Sequence, residues 1–353
     1  MIRVGLVGFG LAGRVFHAPL ISSVEGLELA AVVERNSDNA AARYPGITTY
    51  RSLTDMLADS SIKLVVVATP NDTHCTFAME ALQAARNVVV DKPVGVSSAE
   101  IAQMMELAGG LGLHLVPFHS RRFDSDFQTI QKLLLEGTLG HLIHFDSCLD
   151  RWRPGATRRS WKDDPAEGGG ILLDLGTHLV DQALAQFGLP ESVGAEVLRE
   201  RDGEGANDSF TLRLHYFTGF AVTLSSNLLS SLPRPRFHLR GSKGNFVKWG
   251  VDPQEEALDK ITRITDPNWG QEPPANWGTL TVDVDGGMVT KPVTPVPGDY
   301  RLFYSGVRDA ILGTAPAPVE SVAAWRVARV LEWAIESAQK HRDIECDWSE
   351  EPE

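Results

Sequence analysis

The run Gly8-Phe9-Gly10-Leu11-Ala12-Gly13 constrains this chain more than any other. It fits G-x-G-x-x-G, a weak pattern alone, but here it follows directly on an apolar strand-like run, Ile2–Val7, and opens a helical stretch. The first glycine permits a tight turn and the second lets the backbone approach a pyrophosphate. The third allows close helix–sheet packing, with free helix N–H groups facing the phosphate. An acid, Glu34, closes the second strand-like run about 20 residues on. A carboxylate there accepts hydrogen bonds from a ribose 2′-OH and repels a 2′-phosphate, whereas the adjacent Arg35 can receive that phosphate. The expectation is a dinucleotide-binding Rossmann unit that takes NAD or NADP, with NAD favoured. The bland alternative is a glycine turn in a similar domain that binds no dinucleotide.

The rest of the first part supports the unit. Leu29–Val33, Leu64–Ala68, Val88–Val90 and Leu113–Pro117 are short and nearly all apolar, as strands covered on both faces should be. Helical patterns lie between them, including Thr73–Ala85 and a stretch opened by the capping box Ser97-Ser98-Ala99-Glu100. Strands alternating with helices predict a doubly wound parallel sheet, placed over residues 1–120. After that the texture changes. Helices at Phe127–Leu135 and Thr177–Phe187 flank a strand near Leu142–Leu149 and a polar loop, Arg151–Gly170, expected to line or cover a cleft. Val193–Arg199, Phe210–Phe217, Ala221–Leu228, Phe237–Arg240 and Asn245–Trp249 read as sequential strands, followed by a loop at 266–278 and a closing helix, Val319–Gln339. Sequential hairpin strands predict an α+β second domain, 121–353, with a large, mostly antiparallel open sheet. Its uncovered face predicts a homodimer or homotetramer built through residues about 190–250.

Composition excludes several classes. Thirty-three basic against 46 acidic residues give a net charge of −13, which a phosphate backbone would repel, so no nucleic-acid partner is expected. No apolar run has the length of a membrane span, and the N-terminus starts on a strand instead of a basic segment and leader core. Cys75, Cys148 and Cys346 are odd in number and scattered, which fits a reducing compartment; a cytoplasmic protein is expected. His141 and His144 point to opposite faces of a strand, and no His/Cys cluster has ligand spacing, so no metal is expected.

Three groups could carry chemistry. Asp91-Lys92-Pro93 closes a Rossmann strand on the carboxyl edge where such sheets bind ligands, although a strand-end Lys is more often a solvated charge. Asp174 and His178 stand four apart leading into a helix and so share a side; they are either a surface pair or an acid–base unit. Arg121-Arg122 are either solvated or ligand contacts.

Together these pieces resemble the glucose–fructose oxidoreductase/inositol dehydrogenase (Gfo/Idh/MocA) family. The matching stretches, in order, are GFGLAG (8–13), ATPNDTH (68–74), VVVDKP (88–93), FHSRRFDSDF (118–127), DRWRP (150–154), LLDLGTH (172–178), GSKGNFVKWGVDPQEE (241–256) and AIESA (334–338). The DSDF, DRWRP and DPQEE stretches look most like the scyllo-inositol dehydrogenase branch. The resemblance implies that Lys92 steers the reacting oxygen and the cofactor, that His178 is the acid/base, and that Asp174 orients it. It further implies cofactor contacts from Gly8–Gly13, Glu34, Arg35, Thr69, Pro70, Asn71, His74, Asp91 and Lys92. Substrate contacts are implied for His119, Arg121, Asp150, Arg153 and His178, and a cis bond at Lys92-Pro93 is consistent with it. Asp91 stands where many members carry Glu, and Glu34 stands where NADP-using relatives carry small hydroxyl residues. The function so implied is hydride transfer between nicotinamide and a ring hydroxyl or ketone of a polyol, cyclitol or sugar. A reductase of the dihydrodiol or bile-pigment type, or a dinucleotide-sensing regulator, would share the fold with a different pocket or without the Lys–Asp–His set.

Overall fold

Six parallel strands carry the N-terminal domain: β1 Ile2–Val7, β2 Leu27–Val33, β3 Thr48–Tyr50, β4 Ile62–Val67, β5 Asn87–Val90 and β6 Leu115–Pro117. The structure is a computed structural model that describes residues 1–155, 169–203, 205–260 and 264–352. The strand order is β3-β2-β1-β4-β5-β6, so the winding reverses between β1 and β4. Such a reversal opens a crevice beyond the carboxyl ends of the two strands. β1, β4 and β5 are valine- and leucine-rich because both faces are covered: Val4, Leu6, Leu64 and Val66 meet one layer, Val7, Val65, Val67 and Val88 the other. The helices of this domain are α1 Ala18–Ser23, α2 Asn39–Arg43, α3 Leu53–Leu57, α4 His74–Gln83 and α5 Ser98–Leu111. Ser97 caps α5, its side chain accepting from Glu100 N–H, as the capping box predicts.

The second domain adds α6 Ser125–Leu135, β7 Leu142–Cys148, α7 Thr177–Phe187, β8 Ser192–Leu198, β9 Ser209–His215, β10 Ala221–Asn227, β11 Phe237–Gly241, β12 Gly244–Lys248 and α8 Gln254–Asp259. β13 Gly278–Val284, β14 Gly287–Val293, α9 Arg301–Ile311, α10 Ser321–Lys340 and β15 Ile344–Glu345 complete it. Its nine strands run β14-β13-β12-β11-β7-β10-β9-β8-β15, and only the β7–β10 pair is parallel. Phe145, Leu212, Leu224, Phe237 and Phe246 point to one face, where they pack with residues of α7 and α10. Thr211, Arg213, His238 and Arg240 alternate onto the other face, where Arg213 and Arg240 are exposed and Thr211 and His238 half-buried among the described residues.

Chain order and spatial domain part company from α8 onward, where Leu258 and then Trp269 already pack into the Rossmann core. Tyr300, Phe303, Tyr304 and Val307 cross back to pack with Leu6, Phe9 and Val15 of the Rossmann core. The long α10 then serves both halves: Ala324 and Trp325 join the Rossmann core, while Val327, Val330 and Leu331 join that of the second sheet. Glu332 on α10 accepts from the N–H and hydroxyl of Ser98 at the start of α5, at 2.7 and 2.8 Å. The shared helix thus packs against both sheets.

Candidate active site

The carboxyl ends of β1, β4, β5 and β6 all open toward the second domain, and each carries one expected motif. After β1, Gly8 has φ +94°, and a Cβ there would meet Ala68 O at 2.5 Å. A Cβ at Gly13 would lie 2.1 Å from Gly8 O, so the turn and the helix behind it close only on glycine. At Gly10 a Cβ would meet nothing within 4 Å, which leaves open space against the backbone where a pyrophosphate is expected. The residues present therefore fit a dinucleotide. The turn leads into a widened, π-type turn, Gly13–His17, that continues as α1.

A cavity of about 590 Å³ lies between the domains. From the Rossmann side Gly10, Leu11 and Ala12 line it after β1, and Thr69, Pro70 and Asn71 after β4. Asp91 and Lys92 line it after β5, and Arg121 after β6. From the second domain come Arg151, Arg153, Gly169, Gly170, Asp174 and His178. Of the polar loop, residues 156–168 lie outside the described residues, and both flanks reach the cavity.

Lys92 is the point where the two domains meet chemically. Its Nζ donates to Asp174 Oδ1 at 2.8 Å and to the Asp174 carbonyl oxygen at 2.6 Å. An ammonium has three N–H donors, so these two bonds leave a third for a ligand oxygen. The Lys92–Pro93 bond is cis. Asp174 lies in a π-type turn, Leu172–Gly176, that runs without a break into α7, and this places His178 one turn further on the same side. The turn is pinned by Asn207, whose Oδ1 and main-chain O accept from the N–H groups of Leu172 and Ile171 at 2.9 Å each.

His178 is 6% exposed, and its Nδ1 is buried with no hydrogen-bond partner. The expected Asp174–His178 orienting bond is thus not made; Asp174 holds Lys92 instead. Burial, followed by the neighbouring Lys92 and Arg121 charges, pushes the His178 imidazole well below its usual value, with Asp174 acting weakly the other way. Burial and the two cationic neighbours outweigh Asp174 and favour the neutral ring, the form able to accept a proton. Asp91 is held low: burial works against its charge, but His17, 3.6 Å away, and Lys92 favour it.

Several expected contacts are supports. His74 is buried, with its ring nitrogens 2.7 Å from Pro93 O and 2.8 Å from Thr69 O, so it ties two cavity loops together from behind. His119 is 1% exposed and lies behind the cavity, 3.8 Å from Asp181. Asp150 does not reach the cavity; its carboxylate is gripped by Arg234 through bonds of 2.8 Å to each oxygen. Phe9 packs edge-on against Tyr44. Glu34 is 6% exposed, and its carboxylate turns inward, accepting from Ser37 Oγ at 2.7 Å and from Ala40 N–H of α2 at 2.8 Å. Arg35 beside it is exposed.

Arg151, Glu255 and Tyr300 are among the cavity residues not singled out from sequence. Glu255 of α8 pairs with Arg121 Nη2, and Tyr300 donates to Asp124 Oδ1 at 2.6 Å while Arg121 Nη1 reaches Asp124 Oδ2 at 3.3 Å. The only signal for Glu255 was its place in the DPQEE stretch; Tyr300 had none. Among the described residues no group of His, Cys, Asp and Glu is arranged to hold a metal ion.

Residues 2–119 match the oxidoreductase family's NAD-binding Rossmann fold, and residues 131–346 match its C-terminal alpha/beta domain. The chain belongs to the Gfo/Idh/MocA family of oxidoreductases. It is 39% identical to the uncharacterized oxidoreductase YdgJ of Escherichia coli, over 98% of each chain. It is 32% identical to the scyllo-inositol 2-dehydrogenase (NADP(+)) IolW of Bacillus subtilis, over 97% of this chain and 95% of that one. The solved structure of the oxidoreductase yvaA from Bacillus subtilis superposes with a TM-score of 0.95 at 31% identity, covering 98% of both chains. The family's domain order accounts for the parallel Rossmann sheet followed by the mostly antiparallel one, and its NAD-binding Rossmann domain for a nicotinamide cofactor.

Proposed function

We propose that this oxidoreductase interconverts a ring hydroxyl and a ketone on a polyol, cyclitol or sugar. The observation that carries the reading is the convergence of Lys92, fixed by Asp174, and a buried, neutral His178 on one cavity beside the glycine turn. Nicotinamide, when bound, supplies the hydride acceptor or donor. His178 takes the proton of the substrate hydroxyl, and the remaining N–H of Lys92 donates to the same oxygen as its charge develops. A fixed donor aimed at developing charge in a water-poor site is among the largest catalytic terms available. Asp174 is a positioning residue for Lys92. The name of the IolW relative supports a cyclitol as substrate class.

NAD is proposed over NADP, because Glu34 places a carboxylate at the end of β2, close to where a 2′-phosphate would sit, even with its oxygens bonded to Ser37 and Ala40. The uncovered face of the nine-stranded sheet supports a homodimer or homotetramer. Three free cysteines support a reducing, cytoplasmic setting, and no described helix is long and apolar enough to cross a membrane. A panel of polyols, cyclitols and sugars assayed with NAD and NADP separately tests the reading. Turnover of at least one ring polyol is expected, lost in His178→Ala; no turnover across the panel by enzyme that binds dinucleotide would overturn it.

A further inference from the structure

The segment after β7 builds a wall of the cavity that the reaction above does not use. Asp150 to Arg153 run beside residues 227–230 as a short added rung. Arg151 N–H donates to Asn227 O at 2.9 Å, Arg153 N–H to Leu228 O at 2.7 Å, and Ser230 N–H to Arg151 O at 3.2 Å. Trp152 and Leu229 form a bridge, and Asp150 locks the start of the rung through Arg234. In extended backbone alternate side chains share a face, so Arg151 and Arg153 both point into the cavity while Trp152 turns out, 57% exposed.

These two guanidinium groups differ from the other cavity cations. Lys92 is committed to Asp174, and Arg121 to Glu255 and Asp124. Neither Arg151 nor Arg153 has a side-chain hydrogen bond or ion pair to another described residue. The cavity acids are engaged elsewhere, Asp174 with Lys92, Glu255 with Arg121 and Asp91 with its own loop. Burial lowers the Arg151 pKa, with Asp174 and Glu255 only partly offsetting it. Its charged neighbours are Asp174 and Glu255 on one side of the balance and Arg153 and Arg121 on the other, all lining the same cavity. A half-buried guanidinium without a partner is costly to keep, and it stands out in a chain of net charge −13. Its planar fork matches an oxyanion with two oxygens in one plane.

Resting on the dehydrogenase reading, we infer that Arg151 and Arg153 form a subsite for an oxyanion group on the substrate, a carboxylate or a phosphate monoester, so that the preferred polyol is an acidic one. The reacting hydroxyl is held at Lys92 and His178, and the anionic group is held on the arginine rung.

Matched pairs test this: hexuronic acids against their parent hexoses, and hexose 6-phosphates against the same hexoses, each with the preferred dinucleotide. Wild-type enzyme should favour an acidic member by tenfold or more in kcat/KM, and whether the uronate or the phosphate wins identifies the anion. Arg151→Gln should lower kcat/KM on that acid by about 100-fold, the scale of a charge-assisted bidentate contact. On the neutral partner it should lower it by about tenfold or less, and Arg151→Lys should recover part of the acid preference. Calorimetric titration of the uronate, and of inorganic phosphate, into enzyme loaded with the reduced dinucleotide, which cannot accept hydride from a hydroxyl, reads the subsite without its oxidation; weaker binding in Arg151→Gln is expected. Preference for the neutral members, equal losses on acid and neutral, or a loss confined to the dinucleotide KM would overturn the inference. If the anion binds in an Arg151-dependent way but no pair member is turned over, the subsite stands and the dehydrogenase reading falls.

Discussion

Replacing Lys92 by Met separates the two duties that the geometry gives this residue. Lys92 and Asp174 are joined by the 2.8 Å side-chain bond and the 2.6 Å bond to the Asp174 carbonyl, with side chains only 17% and 24% exposed. Removing the ammonium deprives a mostly shielded carboxylate of one cationic partner, which should cost about 1–3 kcal/mol of stability. At roughly 1–2 °C per kcal/mol for a chain of this size, the midpoint of unfolding should fall by about 1–5 °C. The catalytic cost is separate: the third N–H no longer meets the developing oxyanion, and kcat should drop about 10²–10³-fold. The double variant Lys92→Met/Asp174→Asn pulls these apart. With the carboxylate made neutral, most of the lost stability should return, while kcat stays as low as in the single variant. The measurements are thermal unfolding, kcat at saturating substrate, and dinucleotide affinity, which should hold because Gly8–Gly13 is untouched. A double variant that regains kcat, or a Lys92→Met enzyme within threefold of wild type, would show that Lys92 is only a strut between domains.

His178→Ala should reduce kcat by about 10²–10⁴-fold, and Asp174→Asn by less, since Lys92 keeps the Asp174 carbonyl as an acceptor; the reverse ranking would reassign the base. Because burial and the Lys92 and Arg121 charges depress the His178 pKa, the neutral base persists as pH falls. The acid limb of kcat/KM in the oxidation direction should therefore lie below about 6.5, the ordinary imidazole value, and should move upward in Lys92→Met; a wild-type limb above that value contradicts the environment described. Glu34→Ser should shift preference toward NADP and, by removing the carboxylate that accepts from Ala40 N–H, cost about 1 kcal/mol of stability. A wild-type preference for NADP of tenfold or more would instead make Arg35 the dominant contact. Light scattering at micromolar concentration should report a dimer or tetramer, and a monomer would refute assembly through the open sheet face.

What could be read from the sequence follows from how each element is buried. The Rossmann strands were legible to within two or so residues because both faces are covered, and apolar runs such as Leu64–Val67 have no other soluble use. β3, half exposed and three residues long, left no such run. The central strands of the second sheet showed through their alternation. The β13–β14 hairpin did not, because β14 is exposed along nearly its whole length and carries Pro292, so neither pattern nor propensity marks it. Nothing in the local sequence says that Tyr300–Val307 returns to the first domain, since its apolar face reads the same whichever core it meets.

The site divides along a different line. Lys92, Asp174 and His178 were identifiable as residue types at suggestive positions, but the pairing of Lys92 with Asp174 spans 82 positions and two domains, and no local spacing encodes it. Resemblance to a family marks residues that touch ligand and residues that hold those residues with equal weight. His74, His119 and Asp150 were drawn in as contacts on that ground, whereas the structure buries each of them behind the cavity. The distinction is one of direction. Asp150 fixes the rung from outside so that Arg151 and Arg153 face in, and His74 ties Thr69 to Pro93 so that Lys92 keeps its approach. A residue of the second kind should be replaceable by any side chain that keeps the same bonds, whereas Lys92 should not if, as proposed, its third donor serves the substrate oxygen.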